Sequence, residues 1–355
     1  MTTRADRIKL FKKLAKERIL ILDGAMGTAL QKLKLQEEDY RKIALEDHAN
    51  ELKGNADAMN ISNPDVIKGV YLEYLKAGAD IIETNTFSCT PISQADYGLE
   101  DQAYELAFHG AKLAREAADE MTEIDPTKPR FVAGAMGPTN RTLSVSPKVE
   151  DPGYRAVVFD EMKEAYRQNA SGLLDGGADY LLIETIFDTL NAKAAIMAVE
   201  ELKVERGEDI EVALSVTVTD KSGRTLSGQT VEAFWYSIRH AKPLTVGMNC
   251  AFGAADLRPF ITALANKADT LICAYPNAGL PNELGAYTET PEMTASELCQ
   301  WAEAGILNVV GGCCGTTPAH IAAIAKAMTD YAPRTVPAQP TEIRLSGLEP
   351  MIASV

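Results

Sequence analysis

Two cysteines stand side by side in Gly311-Gly-Cys-Cys-Gly315, directly after an apolar run, and a third closes a similar run in Val246-Gly-Met-Asn-Cys250. Thiolates in this number suit zinc. Three of them hold the ion and leave a fourth position open, which is the arrangement of a catalytic rather than a structural site. Glycines on both sides of Cys313 and Cys314 let the backbone bend so that both sulfurs reach one ion. On the adjacent pair alone, two buried thiols in a Gly-rich turn or a vicinal disulfide remain open readings. The metal reading gains its weight from Cys250, if the fold brings it to the same place. With Cys89, Cys273 and Cys299 the count reaches six. A large chain without a secretion signal needs no disulfide staples, and clustered thiols in a reducing compartment point to metal or catalysis. The four histidines, His48, His109, His240 and His320, are not spaced as a ligand pair and read as surface or helix residues. Neither Gly24-Ala-Met-Gly27 nor Gly134-Ala-Met-Gly137 matches a dinucleotide or phosphate loop.

The elements that must position these thiols follow from the pattern of apolar runs. Eight short runs rich in Val, Ile and Leu occupy residues 19–23, 80–84, 131–136, 180–185, 212–217, 245–249, 271–275 and 308–311. Near-continuous apolar character is expected of parallel strands covered on both faces. Segments with a 3.6-residue period lie between them, including 65–76, 103–121, 159–174, 190–204, 294–304 and 319–328. Helix ends repeat as well: Lys76-Ala-Gly-Ala-Asp-Ile-Ile-Glu-Thr84 is echoed by Asp175-Gly-Gly-Ala-Asp-Tyr-Leu-Leu-Ile-Glu-Thr185, and more loosely by Ala302-Glu-Ala-Gly-Ile-Leu-Asn-Val-Val310. Glycine at a helix end followed at once by a strand is αβ-loop chemistry.

The expected fold class is therefore α/β, a closed (β/α)8 TIM barrel rather than an open doubly wound sheet. Residues 1–330 form the barrel with an amphipathic N-terminal helix beneath it, and residues 331–355 are a Pro-rich tail or linker. The long connections, 24–63, 138–158, 220–230 and 277–291, mostly follow strands, and elaborated βα loops are where a barrel keeps its site. Cys250 then lies at the C-terminal end of the sixth strand, and Cys313 and Cys314 at that of the eighth. Side chains of alternate strands share layers in a barrel, so these two strands can aim ligands at one point. Glu83 and Asn85, at the end of the second strand, line the same mouth.

Charge narrows the partners. Fifty acidic against 35 basic residues leave −15, which argues against nucleic acid and anionic membrane surfaces. No run of about 18 apolar residues appears, and the charged N-terminus lacks a signal-peptide core. The expected location is the cytoplasm.

The motifs Leu22-Asp-Gly-Ala-Met-Gly-Thr28, Ile82-Glu-Thr-Asn-Thr86, Ile183-Glu-Thr185, Gly247-Met-Asn-Cys250 and Gly311-Gly-Cys-Cys-Gly315 together resemble the homocysteine S-methyltransferase family. Further stretches resemble one branch, the N-terminal homocysteine module of cobalamin-dependent methionine synthases: Gly137-Pro-Thr-Asn-Arg-Thr142, Phe187-Asp-Thr-Leu-Asn-Ala-Lys193, Gly223-Arg-Thr-Leu-Ser-Gly228 and Pro276-Asn-Ala-Gly-Leu-Pro281. The likeness implies Zn2+ on Cys250, Cys313 and Cys314, with Asn277 as a fourth ligand when substrate is absent. It implies Asp23 and Glu184 at the substrate ammonium and the amides of Gly24 and Ala25 at its carboxylate. It also implies methylcobalamin as methyl donor, on a separate folate/corrinoid protein or on further modules, since the chain has no Asp-x-His-x-x-Gly corrinoid motif.

The rival readings are a homocysteine methyltransferase using betaine or S-methylmethionine, and a non-enzymatic zinc or thiol sensor. Betaine would need an aromatic cage. The betaine-using branch has Tyr after the residue matching Glu184, where this chain has Thr185. The loops here offer Thr, Asn and Gly, and Trp235 and Trp301 fall in helices.

Overall fold

In the computed structural model, which describes residues 3–339 and 341–353, eight parallel strands form one sheet ordered β1-β8-β7-β6-β5-β4-β3-β2. They are β1 (Leu20–Ile21), β2 (Ile81–Glu83), β3 (Phe131–Met136), β4 (Tyr180–Ile186), β5 (Val212–Val216), β6 (Thr245–Gly253), β7 (Leu271–Asn277) and β8 (Val309–Val310). A parallel bridge between Leu22 and Ile81, with Asp23 N–H donating to the Ile81 carbonyl at 3.0 Å, closes the sheet into a (β/α)8 barrel. The helices expected from periodicity are present, among them Pro64–Ala77, Ala103–Ile124, Phe159–Gly176 and Thr189–Arg206. Gly78 and Gly177, the repeated helix-end glycines, both take left-handed backbone (φ 115° and 102°), a conformation that costs other residues strain.

Strand parity divides the core in two. Leu20, Ile81, Phe131, Tyr180, Ala213, Leu271 and Val309 face the barrel interior, while neighbours such as Ile21, Ile82, Val132 and Leu181 pack on the surrounding helices. The same alternation carries Glu83, Glu184 and Tyr275 inward at the C-terminal ends, because each lies an even number of residues from an interior position. At the opposite end the helix Arg4–Glu17, capped by Thr3, buries Ile8, Phe11 and Ala15. Phe11 meets Phe131 and Tyr180 edge-on, with ring centroids 5.3 and 5.6 Å apart, and stops the barrel from below.

Beyond the last barrel helix, Pro318–Met328, Arg334 donates to the carbonyls of Ala265 and Ala268 and ties the chain down. An antiparallel hairpin follows, β9 (Ile343–Ser346) with β10 (Pro350–Ala353). Its turn reaches the β5 loop, where Thr230 N–H donates to the Leu348 carbonyl at 3.1 Å. The prolines of this segment masked the hairpin in the sequence. No helix among the described residues is long and apolar enough to cross a membrane.

Candidate metal centre and substrate cavity

The ends of β6 and β8 bring the three expected cysteines together. Cys250 Sγ lies 3.9 Å from Cys314 Sγ, Cys313 Sγ lies 4.0 Å from Cys314 Sγ, and all three sulfurs fall within 4.8 Å of one another. Tetrahedral thiolates about 2.3 Å from zinc stand about 3.8 Å apart, so the cluster already has nearly the spacing a zinc ion requires. Backbone bonds hold it there. Cys313 N–H donates to the Pro276 carbonyl at 2.8 Å, and Ala278 N–H donates to the Cys314 carbonyl at 2.9 Å. Asn277 lies between those two anchors on β7, and its buried Oδ1 has no partner among the described residues. A buried acceptor left unsatisfied on the strand end that is backbone-bonded to Cys313 and Cys314 fits the fourth oxygen ligand implied by the resemblance.

The sequence did not disclose the backbone at Cys250. Cys250 and Ala251 both adopt left-handed conformations (φ 59° and 63°), and the β6–β7 register shifts between Asn249 and Gly253. Such non-glycine residues cost about 1–3 kcal/mol each and persist where the surroundings over-determine them. The bulge turns Cys250 toward β8.

Within the cluster, hydrogen bonds from Cys250 and Cys313 pull the Cys314 thiol far below its ordinary range, to about 3. The same contacts push Cys313 well above it. These shifts favour one thiolate beside two thiols before zinc binds. Loading zinc at neutral pH should therefore release roughly two protons per chain. A pH indicator in weak buffer reads this directly; release of none would mean the ion binds elsewhere.

The cysteines form part of the wall of a cavity of about 600 Å³. Asp23, Glu83 and Glu184 reach it from three strand ends, and among the described residues no Lys, Arg or His lines it. Asp23 Oδ2 accepts the Glu83 N–H at 3.1 Å, Tyr275 donates its hydroxyl to Glu184 at 3.4 Å, and Glu83 Oε1 has no partner among the described residues. Burial lifts the Asp23 carboxyl well above the carboxylate range, with the Glu83 N–H opposing and Glu184 adding. Glu83 is lifted likewise, by burial first and then by its two acidic neighbours. Glu184 rises to about 8, chiefly through burial, with Tyr275 opposing and the Cys314 sulfur adding. Three carboxyls gathered without a cation make a receptor for one.

Gly24 and Ala25 lie in the wall as expected. A Cβ on Gly24 would sit 2.7 Å from the Tyr74 ring, so the turn admits only glycine. Ala25 N–H donates to Thr316 Oγ1 at 3.2 Å, and Thr316 in turn donates to the Cys313 carbonyl. Asn85 also lines the cavity, yet its amide serves Ala56 and Asn60 and holds the loops together.

The structure corrects the expectation about aromatics. Phe87, Tyr97 and Tyr287 stand in the cavity wall together with a further buried acid, Asp57. Trp235 and Trp301 are fully buried in helices. Tyr275 was readable from strand parity, whereas Tyr287, which lines the same cavity, sits in a long loop without periodicity.

The sequence model of homocysteine S-methyltransferases matches residues 20–328. This chain belongs to the homocysteine S-methyltransferase family. Among solved structures, the metallated homocysteine methyltransferase MmuM of Escherichia coli superposes with a TM-score of 0.68 at 26% identity, over 88% of this chain and 97% of that one. The oxidised form of MmuM gives 0.68 at 25%, and its apo form shares the fold at 0.64 and 24%, each with the same coverage. As a homocysteine S-methyltransferase, the chain is a methyltransferase acting on homocysteine.

Proposed function

We propose that homocysteine sulfur is methylated as a zinc-bound thiolate, the methyl group coming from methylcobalamin carried by a separate corrinoid/folate protein or by further modules, and that the product is methionine. The observation that carries this reading is the adjacency of three thiols to three buried carboxyls in one cavity. Zinc held by Cys250, Cys313 and Cys314 would favour the ionised form of the substrate thiol and so supply a thiolate at neutral pH. A free thiol with pKa ~8.5 is only a few per cent ionised there, so the gain is roughly 30-fold, or about 2 kcal/mol. Positioning must contribute more, since effective molarities of ~10⁵ M are reached by well-oriented groups.

The chain's own residues supply that positioning. Asp23 and Glu184 take the substrate ammonium, Glu83 adds charge behind them, and the Gly24 and Ala25 amides face its carboxylate once Thr316 yields the Ala25 N–H. With the amino acid held at both charges, its sulfur points at the cysteines. A sulfur lone pair then attacks the methyl carbon, and the donor bond breaks with its electron pair leaving on the donor. No general base is needed. The reducing cytoplasm suits three thiols that must stay unoxidised. We read residues 1–330 as the catalytic unit and 331–355 as a tail or linker.

The corrinoid donor is supported by the motifs shared with cobalamin-dependent synthases and by a cavity far larger than one amino acid. A cationic donor is favoured by a specific feature, Asp57 with Phe87 and Tyr97 in the same wall. Methionine formed from equal concentrations of each donor decides between them. The expected order is slow turnover with free methylcobalamin, much faster with a corrinoid protein, and none with betaine or the Cys313→Ala control. Robust turnover with betaine or S-methylmethionine and none with methylcobalamin would overturn the corrinoid assignment.

A further inference from the structure

Asn249 is fully buried and uses its whole carboxamide. Its Oδ1 accepts from Thr185 N–H at 3.1 Å and from the Ser215 hydroxyl at 2.7 Å, while its Nδ2 donates to Thr185 Oγ1 at 2.8 Å. The orientation is forced. An amide N–H can only donate, so Oδ1 must face Thr185 N, and Nδ2 is thereby turned toward Cys313 Sγ, 4.0 Å away. Thr185 itself is left-handed (φ 52°) and follows Glu184 directly. One side chain thus grips the end of the substrate strand β4 at two points, crosses β5, precedes the bulged Cys250, and presents an N–H to a sulfur on the far side of the barrel.

We propose that Asn249 is a positioning residue for the metal centre: it donates Nδ2–H to the Cys313 thiolate and locks that ligand to the strand end carrying Glu184. This rests on the reading of Cys250, Cys313 and Cys314 as zinc ligands. Ionising Cys313 converts a long thiol contact into a charge-assisted one, and the donated hydrogen draws charge from the sulfur. Outer partners of this kind set ligand orientation, and their loss typically costs 10- to 100-fold in metal affinity.

The alternative is a purely structural cross-link of β4, β5 and β6. Ser215→Ala separates the two, because it removes one cross-link and leaves the Nδ2 donor in place. Zinc affinity is measured by chelator competition for the wild type, Asn249→Ala and Ser215→Ala, and the thiolate charge-transfer band of each is recorded with Co²⁺. We expect a 10- to 100-fold weaker zinc site and a shifted band for Asn249→Ala alone. Wild-type affinity and an unmoved band in that variant overturn the proposal, as does an equal loss in Ser215→Ala.

If Asn249→Ala fails to fold, wild-type protein loaded with ¹¹³Cd decides. Scalar coupling between the metal and the Asn249 side-chain amide protons is expected, and its absence refutes the donation. A wild type that binds no zinc would refute the ligand assignment itself, and this inference with it.

Discussion

Replacing Cys250, Cys313 or Cys314 by Ala should abolish homocysteine methylation, with a loss of roughly three orders of magnitude or more, and should remove the zinc while leaving the barrel folded. The size follows from two losses that combine, the thiolate fraction of the substrate and its placement against the methyl carbon. The fold survives because the sulfurs stand on the rim, above an interior already closed by Leu20, Ile81, Phe131 and Tyr180. Metal analysis of purified protein should give one zinc per chain for the wild type and far less for each variant, with circular dichroism unchanged. A full zinc complement in all three single variants would sink the assignment.

Glu184→Gln should weaken homocysteine by about 30-fold or more, the range expected when one partner of a buried charge pair is removed. A thiol of equal length without the amino group should lose almost nothing. Asp23→Asn should act in the same direction. The pH dependence has a definite sign. Glu184 moves from an ordinary value of 4.5 to about 8 in the ligand-free protein, so the fold binds a proton that the unfolded chain has released. Ligand-free stability therefore declines as pH rises from 4.5 toward 8, and no further above it. An ammonium favours the ionised carboxyl, so homocysteine affinity should climb over the same window, with proton release that calorimetry in buffers of different ionisation enthalpy can count. A Glu184→Gln variant that discriminates between the two thiols as the wild type does would remove this residue from the amino site.

Much of this was legible from residue order. The apolar runs marked all eight strands, because parallel strands buried on both faces leave no room for polar alternation. The strand ends followed, and with them the meeting of Cys250 with Cys313 and Cys314. Glu83 and Glu184 were legible as residues of strand ends, and parity would also have yielded Tyr275. The left-handed pair at Cys250 and Ala251 was not, because no glycine marks it. The role of Asn249 was hidden for a related reason: its partners come from β4, β5 and β8, and such distances in sequence leave no local pattern. Tyr287 and the β9–β10 hairpin lie where turns and prolines obscure periodicity.

The helix that carries Phe11 has a bearing on traffic. With Phe11 stopping the barrel from below, the proposed substrate and its methylated product share the doorway at the rim where the loops meet. A methyl carrier large enough to cover that doorway must come second and depart first. On the proposed corrinoid reading the visits should then be ordered: homocysteine first, into an open vestibule, the carrier next, and methionine out once the carrier has gone.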